Sequence, residues 1–237
     1  MKLSGYARNE WLAIMAVGAL IFASAMLLGW WFLALAVGVG TIAILTFFRD
    51  PERRVPTQRG AVVAPADGRV SSIHQIEHFP PFDEPAVCVR IFMSVLDVHI
   101  NRSPCHGVIK SITHTPGDHR NTLNPESAEV NENNLIVFNH PVRDEPVAAI
   151  RQIAGLLART IYCHPKVGIT LQRGQRLGII KLGSTTELYL PASSSPTLVV
   201  EQGQKVHAGT TVLAHVKGAE VAVTTKPAAA QTAAVEV

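Results

Sequence analysis

The chain has 237 residues, 47% of them hydrophobic, a formal net charge of +3 and three cysteines. That length suits one sizeable domain plus an anchor, or two small domains. So small a charge excludes the broad basic field of a nucleic-acid binder, and Cys88, Cys105 and Cys163, far apart and without a CxxC pair, fit structural thiols in a reduced compartment.

Much of the apolar excess lies before residue 49. No charged residue occurs from Trp11 to Phe48. One straight helix over that run would be roughly 57 Å long, against about 30 Å for a bilayer core. A transmembrane helical hairpin broken near Gly29 fits better, as Trp11–Leu28 and Trp30–Phe48, with Trp30 and Trp31 at the far interface; a shallow re-entrant hairpin would give the same orientation. Lys2 and Arg8 before the run, and Arg49, Arg53 and Arg54 after it, place both flanks in the cytoplasm. A signal-peptide core is far shorter, about 7–15 residues.

After Arg54 the periodicity changes. Residues 61–63, 87–93, 107–113, 135–139, 148–153 and 185–190 are short, rich in Val and Ile, and bounded by turn residues. Helical signal is poor, with one or two turns at 155–160. The body, residues 55–217, therefore reads as mainly β. The run Ala64-Pro65-Ala66-Asp67-Gly68 and the paired glycines Gly203 and Gly209 resemble biotinyl and lipoyl carriers, which points to a barrel-sandwich hybrid. No lysine stands where such carriers are modified. The stretch Thr115–Asn134, rich in Pro, Gly, Asn and Glu, is long for a loop and reads as a lid or substrate loop. Residues 218–237 carry no pattern and read as a disordered tail.

The chemistry centres on Leu182-Gly183-Ser184-Thr185, where a strand runs directly into a Gly-Ser bond. An isolated Gly-Ser is usually a turn; its surroundings distinguish this one. With Phe47-Phe48-Arg49-Asp50-Pro51, Pro65-Ala66-Asp67-Gly68, Phe92-Met93-Ser94, Asp97-Val98-His99-Ile100-Asn101-Arg102, Pro104-Cys105-His106-Gly107 and Glu132-Asn133-Asn134, in that order, the chain resembles the phosphatidylserine decarboxylase family in its short prokaryotic form. The resemblance covers about residues 40–215.

What the resemblance implies is a proenzyme that cuts itself at 183/184. Glycine, lacking Cβ, leaves the carbonyl open to the neighbouring hydroxyl. The serine is then converted, with loss of ammonia, to a covalent pyruvoyl group, an electron sink for decarboxylation like that of pyridoxal phosphate. The resemblance offers Ser184, His99 and Asp67 as catalytic residues, the last two as base and orienting carboxylate. Long-form members carry a second histidine where this chain has Arg102, so His99 either serves both activation and turnover or shares them with another group. Charge and polarity suggest Arg102, Asn121 and Asn133 for the lipid phosphate or carboxylate. The spacing of His99, His106, His114 and His119 matches no common zinc pattern, so no metal is expected.

The partners implied are phosphatidylserine, the cell (inner) membrane with the body facing the cytoplasm, and the two cleaved chains held to each other; a homodimer is compatible with this. An archaetidylserine-type lipid would use the same machinery. The rival from another class is a membrane-tethered adaptor, which has no use for the Gly-Ser and Asp-x-His blocks.

Overall fold

The computed structural model describes residues 2–122, 124, 127–156, 160–181 and 184–216. Gly183, half of the expected turn at 155–160 and the expected tail at 218–237 lie outside the described residues.

Two apolar helices come first, α1 (Arg8–Leu27) and α2 (Trp31–Phe47). Between them Gly29 sits at φ +74, and the amides of Trp30 and Gly29 donate to the carbonyls of Ala25 and Met26. This is a Schellman ending, in which a left-handed glycine satisfies the last helical carbonyls and reverses the chain. The helices touch where Gly18 backs onto Thr41, so closely that a Cβ would lie 2.4 Å from Thr41 Oγ1. Gly5–Leu27 is long and apolar enough to cross a bilayer. At the open end of the pair, Ala7, Phe47 and Phe48 pack with Val98, Ile100 and Ile179 of the body.

The body is mainly β. In chain order its strands among the described residues are β1 (Ala61–Val63), β2 (Gly68–Phe79), β3 (Glu84–Met93), β4 (Ile100–Arg102), β5 (Gly107–Thr115), β6 (Asn133–Asn139), β7 (Pro146–Ile153), β8 (Ile161–Cys163), β9 (Thr170–Leu171), β10 (Arg176–Ile180), β11 (Ser184–Pro191), β12 (Thr197–Leu198), β13 (Lys205–Val206) and β14 (Val212–His215). Eight of them form a curled antiparallel sheet in the order β13-β2-β3-β11-β7-β6-β5-β9. The others form two three-stranded sheets, β1-β14-β12 and β4-β10-β8.

The middle strands of the large sheet, β3, β11, β7 and β6, are largely buried on both faces, which is why β3, β6 and β7 read as apolar runs rather than strict alternation. Val89, Ile91, Met93, Ile136, Phe138, Ile150, Leu188 and Leu190 face inward, onto Val62, Leu177, Leu213 and Ala214 of the small sheets. Ala86, Cys88, Val137, Ala149 and Tyr189 face outward beneath Phe79 and Phe82. The outward face also buries Glu187, which accepts from Arg90 Nε at 2.7 Å and from the Tyr189 hydroxyl at 2.5 Å. The expected loop Thr115–Asn134 contains a short helix, α3 (Ser127–Val130). Buried Asn131 pins it, donating to the carbonyls of Arg120 and Ala154 at 2.9 and 2.8 Å.

Candidate active site

Ser184 opens β11, the strand between β3 and β7, and is fully buried. Its register partner is Met93, the last residue of β3, and its hydroxyl donates weakly to Met93 Sδ at 3.7 Å. Side chains alternate along a strand, so Thr186 points inward beside Ser184 and also donates to Met93 Sδ, at 3.5 Å.

A chain of buried amides ends on this group. Asn134 Nδ2 donates to Gln152 Oε1 at 3.2 Å, Gln152 Nε2 to Asn101 Oδ1 at 2.7 Å, and Asn101 Nδ2 to Thr186 Oγ1 at 3.3 Å. The chain gathers residues from β6, β7, β4 and β11. In so low a dielectric a fully partnered polar network is rigid, and one broken link is costly.

His99 lies two residues before Asn101 and is fully buried. Its Nδ1 is 2.9 Å from the Asp97 carbonyl oxygen. A carbonyl can only accept, so Nδ1 carries the proton and the lone pair is on Nε2. The Phe47 ring, 4.3 Å away between centroids, covers the imidazole. Burial, above all, pushes the imidazole pKa down to about 4, partly opposed by Asp97. At neutral pH His99 is therefore a neutral base.

The carboxylate expected to orient His99 is engaged elsewhere. Asp67 Oδ2 accepts from Arg53 at 2.7 Å and Oδ1 from the Ala208 amide at 2.8 Å, with His207 Nδ1 3.3 Å from Oδ2. The charge of Asp67 still favours protonation of His99, but the main-chain oxygen of Asp97 is what holds the ring. Arg102 donates to the Gly174 carbonyl, the Pro51 carbonyl and Asp50 Oδ1, each at 3.0 Å. Buried Asp50 also accepts from Arg176 Nε at 2.6 Å, so this ion-pair group ties the chain leaving α2 to β4 and β10. Asn133 donates to the Asn131 carbonyl at 3.0 Å.

Sequence reasoning missed Met93, Thr186, Gln152 and the Asp97 carbonyl. Register was the signal for Met93, since pairing β11 with β3 brings it opposite Ser184. Gln152 and Thr186 look like solvent-facing positions in a half-exposed strand, and nothing in the sequence alone distinguishes them. His114 and His119 converge on Glu132, at 3.7 and 3.0 Å. Among the described residues no group of three or more His, Cys, Asp or Glu is placed to hold a metal. Burial raises the Cys105 thiol to about 12, so it is not a thiolate at neutral pH.

A neutral imidazole held in one tautomer beneath an aromatic lid, and a hydroxyl sealed at the head of a central strand, are the equipment of an enzyme rather than of a carrier or an adaptor. A profile of the family described as phosphatidylserine decarboxylase matches residues 41–214. Curated relatives named phosphatidylserine decarboxylase proenzyme include one from Ralstonia nicotianae, 40% identical over 88% of this chain and 94% of its own length. Another, from Magnetococcus marinus, is 36% identical over 93% of this chain and the whole of the relative. The chain belongs to the phosphatidylserine decarboxylase family, and with it to the decarboxylating lyases.

Proposed function

We infer that this chain is a self-processing proenzyme that converts phosphatidylserine to phosphatidylethanolamine after cleaving its own Gly183–Ser184 bond. The observation that carries this reading is the sealed Ser184 hydroxyl on the same inner face as the Asn101 network that begins two residues from His99. In the cleavage step Ser184 Oγ adds to the Gly183 carbonyl carbon. His99 Nε2 takes up the hydroxyl proton. The peptide C–N bond breaks as the C–O bond forms, and the proton passes to the departing nitrogen.

The residues around Ser184 fit a pyruvoyl group at this position. Met93 provides an apolar wall, and Asn101 Nδ2 and Thr186 Oγ1 are amide and hydroxyl donors close to the strand head. Bound there, such a group supplies a carbonyl electron sink for loss of carbon dioxide. His99, neutral at pH 7, moves protons at the same place, and Phe47 excludes water from its ring. Asp67 acts on His99 through its charge and on Arg53 and Ala208 through hydrogen bonds. Arg102 and Asn133, the residues proposed for the lipid phosphate or carboxylate, each also donate to the protein itself, which fixes their side chains in place. The stretch 115–134 keeps its reading as a lid or substrate loop.

The helical pair is a membrane anchor with both basic flanks on the cytoplasmic side of the inner membrane. The Ala64–Gly68 turn packs on the turn at 207–211: the Gly209 amide donates to Ala64 O at 2.9 Å and the Ala64 amide to Thr211 O at 2.8 Å. This crossing supports reading the body as a barrel-sandwich hybrid.

Denaturing intact-mass spectrometry tests the proposal. The wild type should give residues 184–237 as a fragment lighter by one ammonia than simple hydrolysis allows. Ser184→Ala should give one uncut chain that does not decarboxylate phosphatidylserine. Normal turnover by that variant would overturn the reading.

A further inference from the structure

Between Met93 and His99 the chain makes a tight turn that the chemistry above does not use. The Asp97 amide donates to the Ser94 carbonyl at 3.0 Å, closing a four-residue turn. The Asp97 carboxylate locks it, accepting from the Ser94 amide at 2.9 Å and the Ser94 hydroxyl at 2.7 Å. The corner positions of such a turn favour Pro, Gly, Asn, Asp or Ser. Here they are Val95 and Leu96, with 45% and 83% of their surface exposed. Two large apolar side chains held out by a rigid turn gain nothing from folding.

The turn's position says what they meet. Arg49, at the end of α2, donates through one nitrogen to the Thr46 carbonyl and through another to the Leu96 carbonyl. Val98 packs with Phe47 and Phe48 at the open end of the helical pair. The corner of the turn thus continues the apolar surface of the helices at the level where the chain leaves them.

We propose that the Ser94–Asp97 turn is a second membrane contact, with Val95 and Leu96 seated in the lipid surface beside the anchor. It rests on the reading of α1 and α2 as a membrane anchor and deepens it. The turn joins Met93, the register partner of Ser184, to His99, whose ring is held by the Asp97 carbonyl. Docking it sets the mouth of the site against the bilayer, so that a lipid headgroup reaches Ser184 without the lipid leaving its leaflet.

The test uses full-length protein in phosphatidylcholine–phosphatidylserine vesicles, in a background without Cys105 and Cys163. An environment-sensitive fluorophore is attached at Leu96→Cys, at Ile42→Cys on the exposed face of α2, or at Val142→Cys, which is 82% exposed at the opposite end of the large sheet. Lipid-borne quenchers should quench positions 96 and 42 and spare 142. Quenching at 42 with position 96 behaving like 142 overturns the docking turn and leaves the anchor standing. No quenching at any of the three removes the anchor and this proposal together. As an independent measure, Val95→Ser/Leu96→Ser should raise the apparent KM for vesicle substrate by at least about fivefold with self-cleavage still complete. An unchanged KM counts against the proposal.

Discussion

His99 is kept in its base form by groups on either side of it: the carbonyl of Asp97 fixes its tautomer and the Phe47 ring, from the helical pair, shuts out water. The consequence for pH follows from the lowered pKa. Unfolded, a histidine takes up its proton near pH 6.5; folded, this one waits until about 4. As pH falls through that window the unfolded state binds the proton first, so stability present above about pH 6.5 is lost, by on the order of 3 kcal/mol at most. Urea unfolding at pH 7 and pH 5 should show the loss, and His99→Phe should remove much of the difference. His99→Ala should slow self-cleavage by about a hundredfold to ten-thousandfold, read from the ratio of cut to uncut chain over time. On the outward face of β11, Glu187→Ala would remove the buried carboxylate that accepts from Arg90 Nε and the Tyr189 hydroxyl. A cost of about 3–5 kcal/mol in chemical denaturation is expected.

At the scale of the elements, β10 is the least forgiving. Gly178 lies under β8 so closely that a Cβ would stand 2.0 Å from the Tyr162 carbonyl oxygen. Gly178→Ala must push two paired strands apart and should cost about 1–3 kcal/mol, measurable as a lowered melting temperature. The elements also show where sequence reasoning reached and where it stopped. The strands β3, β6 and β7 were legible because both their faces are largely covered and so carry a dense apolar signal; β5 was legible from Val108, Ile109 and Ile112, and β11 from Leu188, Tyr189 and Leu190 following the Gly-Ser pair. In contrast, β2 was legible only at its start: His74, Gln75, Glu77 and His78 break its pattern because that stretch is only partly covered. β4 was not legible at all. Its Asn101 and Arg102 look like loop residues, yet both are buried and partnered, one in the amide chain and one against Asp50. Ser184 and His99 could be picked out through the blocks of sequence around them. The amide chain could not, since it is assembled from four strands whose polar residues gain meaning only when the sheets close on one another.

For the whole molecule, the decisive relation is between the proposed cut at 183/184 and the core. Residues 184–216 supply β11, β12, β13 and β14; β11 pairs with β3 and β7, β13 with β2 and β14 with β1, all from the part before the proposed cut, while β12 pairs with β14. Leu188, Leu190, Val206, Leu213 and Ala214 share one core with Val62, Val89, Ile91, Ile136 and Leu177. The two pieces should therefore co-elute in non-denaturing size exclusion and separate only in strong denaturant. Elution of residues 184–237 alone under native conditions would contradict this. The mainly β character of the body and the apolar character of its N-terminal helix follow from composition along the chain, whereas the way three sheets share that core depends on long-range register that no local pattern encodes.

The place of β11 also imposes an order of events on biosynthesis. A strand that occupies the middle of a sheet is the last gap to be filled, and here it leaves the ribosome only after β3 and β7, the two strands that flank it. Until it arrives, Ser184 has no Met93 opposite and no amide chain beside it, so a nascent chain stalled before residue 191 carries the Gly-Ser pair of the proposed cut without the surroundings described above. Synthesis as one continuous polypeptide delivers the middle strand already tethered to its neighbours. Two separately made pieces would have to open a formed sheet to admit it.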